Sequence, residues 1–330
     1  MTRAEGPRRH PRLSLAAGAE REAICPRRVS APGHPTPPER LLVWLFRRFP
    51  PKETIFRDSA PRPLAEYEDE VRFAFPRYFG RDTSLFAGKD ILDLGSGFGG
   101  RPVCFLECGA RSVTGVETSD ELVEHARRFA EARNAVGATF VKGFGEDLPV
   151  SDESFDLITM NDVLEHVIDP GEVLGECWRV LRPGGRVAAV FPPYYDVTAG
   201  SHLHGYATRL PGLNLLFPSR TLKRAARRHL EDRGIEYKRY LREVLSDKLW
   251  NVNGLTAHGF RRIVKSSPFA AEQIWYLGHL DHRLAAENGW PRLWKRAIFA
   301  LAELPAQIPG IQEVACVRVC AVIRKPKAVG

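Results

Sequence analysis

The chain has 330 residues, enough for one large or two small domains, with an ordinary globular hydrophobic content of 44%. It contains no apolar run of about eighteen residues, so nothing in it reads as a spanning helix. The formal charge is +8, but ten Arg and four Glu fall in the first fifty residues and the remainder carries only +2, so basicity gives the folded core no case for binding nucleic acid.

In chain order, residues 1–40 are rich in Pro, Arg, Ala and Gly, lack periodicity and read as a disordered tail. Residues 41–80 read as an N-terminal helical segment. Its first part, Leu41 to Phe46 followed by Arg47 and Arg48, suits a helix packed on the following domain; contact with a membrane surface is the other reading. Its second part, with Leu64, Tyr67, Val71, Phe75, Tyr78 and Phe79, has helical spacing.

From residue 81 to 193 strands and helices alternate, which implies a parallel sheet covered on both faces. Strands are expected at 90–94, 112–117, 138–142, 155–160 and 186–191. Helices are expected at 101–108, 119–134 with Ser119 as N-cap, and 170–181, with Arg182-Pro-Gly-Gly185 as a stop. Residues 194–255 break the rhythm and read as a helical lid insertion, with a basic helical block from Thr221 to Lys248. Residues 256–330 complete the sheet near 272–277 and 313–324.

The first strand runs into Gly95-Ser96-Gly97-Phe98-Gly99-Gly100. Glycines there allow a tight turn and a close approach to a ligand, and the following helix offers unpaired N–H groups. Dinucleotide sites, packing turns and S-adenosylmethionine (SAM) loops all use such a loop. Three acidic features narrow the choice: Asp93 inside the strand end, Glu117 at the end of the second strand, and Glu146-Asp147 after the third. A dehydrogenase also wants an acid at Glu117, but has no need of the other two.

With these motifs, residues 90–193 resemble the class I SAM-dependent methyltransferases, in the small-molecule group that includes quinone-biosynthesis enzymes. The resemblance implies a Rossmann-like, doubly wound α/β sheet of seven strands, mostly parallel, with the last antiparallel. It implies SAM as cofactor. Asp93 would lie near its methionine end, Gly95, Ser96, Gly97 and Gly99 would line its path, and Glu117 would accept the ribose hydroxyls. Asp147, or the adjacent Glu146, would take the adenine amino group, and Asn161 would face the transfer cleft.

The acceptor side is read from local chemistry. His202, in His202-Leu-His204-Gly-Tyr206, is the first candidate for a general base, with His166 and Tyr194 as further catalytic candidates. Asp162-Val-Leu-Glu165-His166 resembles a metal-binding stretch of some quinone O-methyltransferases, but cleft lining is preferred and no metal is assigned. Phe191-Pro-Pro-Tyr194 resembles a motif of nucleic-acid amino-methyltransferases, yet follows the wrong strand, and Phe191 cannot accept a hydrogen bond. The apolar stretch Pro211 to Pro218, beside Arg220, Lys223, Arg224, Arg227 and Arg228, suggests a lid over a greasy acceptor or a membrane contact.

Six cysteines, at 25, 104, 108, 177, 316 and 320, form no zinc-type spacing and read as buried thiols of a cytosolic protein. Cys104 and Cys108 share a helix face, and Cys316 and Cys320 are expected on one face of a strand. The expected function is methyl transfer to oxygen of a small-molecule or lipid-like acceptor in the cytoplasm, with peripheral membrane contact and no nucleic acid. The other reading is a non-catalytic SAM-binding scaffold or sensor.

Overall fold

A computed structural model describes residues 34–50, 78–79, 85–197, 203, 207–232, 252–278 and 304–327. The tail up to residue 33, residues 64–77 of the helix expected at 64–79, His202, His204, Tyr206 and the basic block beyond 232 lie outside the described residues.

Helix α1 spans Pro37–Arg48. The core then follows as β1 (Asp90–Leu94), α2 (Gly100–Glu107), β2 (Ser112–Glu117), α3 (Asp120–Ala132), β3 (Ala138–Lys142), β4 (Phe155–Asn161), α4 (Pro170–Val180) and β5 (Leu181–Phe191). After it come α5 (Leu213–Leu216), α6 (Ser219–Asp232), α7 (Ala257–Ser266), β6 (Ala270–Leu277), α8 (Gln312–Ala315) and β7 (Arg318–Arg324). The seven strands form one sheet in the order β3-β2-β1-β4-β5-β7-β6. Strands β1 to β5 pair in parallel, and β7 runs antiparallel between β5 and β6. The sheet is therefore doubly wound with its last strand reversed, as expected.

Side chains alternate between sheet faces along each strand. Leu92 and Leu94 of β1 and Ile158 and Met160 of β4 join one core cluster with Val173, Leu174 and Cys177 of α4. Ile91 and Leu157 point the other way, against Phe105 of α2 and Phe86. Helix α3 begins where Ser119 caps it, the Ser119 hydroxyl accepting from the Leu122 N–H at 3.4 Å.

Three local expectations are corrected. Arg182-Pro-Gly-Gly185 does not separate α4 from the strand. The helix ends at Val180 and β5 starts at Leu181, which pairs with Phe155 before the register slips to Leu157–Arg186. Gly184, at φ 85°, absorbs that irregularity, and its N–H donates to the Lys325 carbonyl at 2.8 Å. Residues 312–315 form α8 rather than the start of the last strand, so Cys320 lies on β7 and Cys316 precedes it. Finally, α1 packs on α6, not on the sheet. Leu42 and Phe46 share a cluster with Leu213 of α5 and Leu222, Ala225 and Ala226 of α6.

Candidate functional site

Asp93 is the register partner of Thr159 on β4 and of Gly115 on β2. Register partners put their side chains on the same face. The Thr159 hydroxyl accordingly donates to Asp93 Oδ1 at 2.7 Å, and Asn161, two residues on, faces the same space. Arg101, from the first turn of α2, brings Nε to 3.5 Å from Asp93 Oδ2 and donates through its guanidinium to the Gly95 carbonyl. Asp93 is 0% exposed. Burial pushes its pKa above the ordinary carboxylate range, Arg101 and Thr159 pull it back, and Glu117 pushes it up again. Asp93, Arg101, Thr159 and Asn161 line a cavity together with Tyr78 and Phe79.

The loop between β1 and α2 needs its glycines. Gly95, at φ 73°, lies where a Cβ would come within 2.5 Å of Val163 Cγ2. Gly99, at φ 87°, would place one 2.9 Å from the Ala126 Cα. Ser96 sits over Gly115, whose missing side chain leaves it room. Glu117 closes the loop from the neighbouring strand: its Oε2 accepts from the Gly97 N–H at 3.1 Å and its Oε1 from the Thr118 N–H at 2.7 Å. A carboxylate is thereby fixed at the carboxyl end of β2, beside the loop.

Glu146 and Asp147 follow β3 in a turn where the Asp147 N–H donates to the Phe144 carbonyl at 3.1 Å. The Glu146 carboxylate accepts from the Ile168 N–H at 2.7 Å, which braces the segment before α4. Asp147 is exposed on the same rim.

Of the acceptor-side candidates, His166 follows β4 and Tyr194 follows β5, both beyond the carboxyl ends of those strands. Asp162 takes φ 55°, an uncommon conformation for a residue with a side chain. Its carboxylate lies 3.7 Å from Arg318 Nε. His166 Nε2 stands 3.7 Å from the buried Glu165 carboxylate. Among the described residues no group of three or more His, Cys, Asp and Glu could hold a metal ion. The Tyr194 N–H donates to the Leu255 carbonyl at 2.8 Å, and its ring meets Tyr195 edge-on at 5.2 Å. Phe191 is a core residue, 0% exposed and edge-on to Phe260 at 5.1 Å.

Four further residues organise this site. Besides Thr159 and Arg101, Arg318 at the start of β7 links the rim to the cavity wall. Burial works to discharge it, but the Asp162 charge and a hydrogen bond donated to Tyr78 outweigh that and raise its pKa above the ordinary value. A lone Arg inside Ala-Cys-Val-Arg-Val-Cys was the available signal. Asn253 donates through Nδ2 to the Leu164 and Val167 carbonyls at 2.7 and 2.9 Å, clamping the turn that bears His166. Nothing local marks this role of Asn253, because the carbonyls it donates to lie 89 and 86 residues earlier in the chain.

Residues 92–189 match the family described as methyltransferase domain. The chain is 38% identical over 107 residues to a demethylmenaquinone methyltransferase of Clavibacter sepedonicus, covering 32% of this chain and 42% of that protein. It is 34% identical over 155 residues to a ubiquinone/menaquinone biosynthesis C-methyltransferase, UbiE, of Geotalea daltonii, covering 44% and 63%. It is 36% identical over 132 residues to a ubiquinone biosynthesis O-methyltransferase of Paramagnetospirillum magneticum, covering 38% and 51%. The chain thus spans about half the length of these curated relatives.

Proposed function

We propose that this chain, whose residues 92–189 form a class I SAM-dependent methyltransferase domain, transfers a methyl group to oxygen of a small or lipid-like acceptor. The observation that carries the reading is the meeting of a left-handed glycine loop with two acids, Asp93 and Glu117, at the carboxyl edge of a parallel sheet. In such sheets ligands bind outside the carboxyl ends of the strands.

The residues fit the cofactor. Ser96 Oγ and Asn161 Oδ1 are buried with no hydrogen-bond partner among the described residues, and Asp93 Oδ2 has only the 3.5 Å approach of Arg101, so polar capacity remains on the cleft side. Asp93, Gly95, Ser96, Gly97, Gly99 and Asn161 would hold the methionine portion, Glu117 the ribose, and Asp147 or Glu146 the adenine. When bound, SAM supplies an electrophilic methyl group on a sulfonium. The chain's own contribution is mainly alignment of the acceptor oxygen, with Thr159 and Arg101 keeping Asp93 in place. His166, Tyr194 and His202 are the groups assigned to orient the acceptor hydroxyl or take its proton.

The relatives named as O- and C-methyltransferases support a small-molecule acceptor. The buried Cys177 and Cys316, whose thiols burial pushes up to about 12, support a reducing, cytoplasmic setting, and peripheral membrane contact completes the reading. Calorimetric titration with S-adenosylhomocysteine, beside NADH, is the test. Binding of S-adenosylhomocysteine alone is expected, weakened at least roughly tenfold by Asp93→Ala. NADH binding, or full affinity in the variant, would overturn the assignment.

A further inference from the structure

Helices α1, α5 and α6 enclose a hydrophobic cluster of their own, apart from those flanking the sheet. On α1 the inward face is Glu39, Leu42 and Phe46, all buried. Glu39 is held by Arg224 Nε at 2.9 Å and Arg228 Nε at 3.7 Å, both on α6. With 3.6 residues per turn, the opposite face of α1 carries Arg40, Leu41, Trp44, Arg47 and Arg48. Trp44 is 59% exposed and Leu41 48%, although both are apolar residues on a packed helix. In the same unit Leu215 is 43% and Leu216 75% exposed.

Charge sorts with these elements. Residues 34–50 and 207–232 hold nine Arg and Lys against three Asp and Glu. Residues 85–197 hold ten against nineteen. An anionic surface therefore attracts the helical unit and repels the cofactor domain, which sets one orientation.

We propose that the α1 face centred on Trp44 docks the protein on an anionic lipid bilayer, lying in the headgroup plane. Trp and Leu suit the boundary between headgroups and acyl chains, and flanking Arg side chains suit lipid phosphates. Nucleic acid fits less well, because exposed leucines gain nothing from phosphates and the acidic domain repels a polyanion. Among the described residues no helix is long and apolar enough to cross a membrane, so the contact is a surface one. The docking unit also touches the reaction rim: Asn214 of α5 donates to the Tyr194 and Asp196 carbonyls at 2.7 and 3.0 Å. Delivery of a lipid-like acceptor by this route rests on the methyltransferase reading; docking itself does not.

Co-sedimentation of the full chain with phosphatidylcholine vesicles, with and without phosphatidylglycerol, tests the proposal. The expected result is salt-sensitive binding to the anionic vesicles, reduced at least roughly tenfold by Leu41→Ser with Trp44→Ser. Both side chains are exposed, so the variant's melting temperature should match wild type. A parallel S-adenosylhomocysteine titration separates failure of docking from failure of the cofactor assignment. Absence of binding, or undiminished binding by the variant, overturns the proposal. So does self-association lost in the variant without vesicle binding, which would give this face to a second copy. Tighter binding to duplex DNA than to vesicles would give it to nucleic acid.

Discussion

Asp93 carries opposing demands. Its carboxylate is fully buried, with one oxygen satisfied by Thr159 and the other facing Arg101 at 3.5 Å. Burial raises its folded-state pKa, so the protonated form is favoured by folding. That contribution is fully present below the unfolded carboxylate value of about 4 and is lost as pH rises through the folded value. Asp93→Asn keeps the Thr159 bond and removes the charge. Its melting temperature at neutral pH should equal or exceed wild type, the gap should close as pH falls below about 4, and its affinity for S-adenosylhomocysteine should fall. A lower melting temperature at neutral pH would mean that the carboxylate is held for stability rather than for a ligand.

At the scale of elements, Gly99 fixes how the cofactor loop meets α2. It is the residue preceding that helix, in a left-handed conformation, with the Ala126 backbone where a Cβ would go. Both strain and clash oppose a side chain, and backbone on another helix cannot step aside as a rotamer can. Gly99→Ala should lose about 1–3 kcal/mol in urea denaturation, with α2 and α3 displaced. This loop was legible in the sequence because one short window holds strand, glycines and helix. Ser119 was legible for the same reason, as were β1 to β4. The start of β5 was not, since Pro-Gly-Gly reads as a break and only pairing of Leu181 with Phe155 makes it strand. Thr159, Arg101 and Arg318 escaped notice because their roles come from cross-strand register and from partners distant in the chain. The partner of α1 was missed because an apolar helix face does not say what covers it.

At the scale of the whole molecule, two bodies of unlike charge and separate cores share one chain. The smaller, α1 with α5 and α6, rests on a short cluster and on the pairing of Glu39 with Arg224. Stability is distributed unevenly where clusters are separate. Native-state hydrogen exchange should therefore show the amides of α1 and α6 opening together, at lower free energy than those of β1, β4 and β5. Exchange of all these amides at one common free energy would show a single cooperative unit.

The pairing of the Tyr194 N–H with the Leu255 carbonyl means that the chain departs from the sheet and rejoins it through one doorway. Because residues 194 and 255 are already fastened to each other, added length between them costs only a slowly growing closure entropy. Some of the stretch is not free to vary: Leu213, Leu222, Ala225 and Ala226 cover α1, Asn214 holds the Tyr194 rim and Asn253 clamps the turn that bears His166. The stretch is thus a pinned cassette, whose spacers can change length while β1, its glycine loop and Glu117 keep their places.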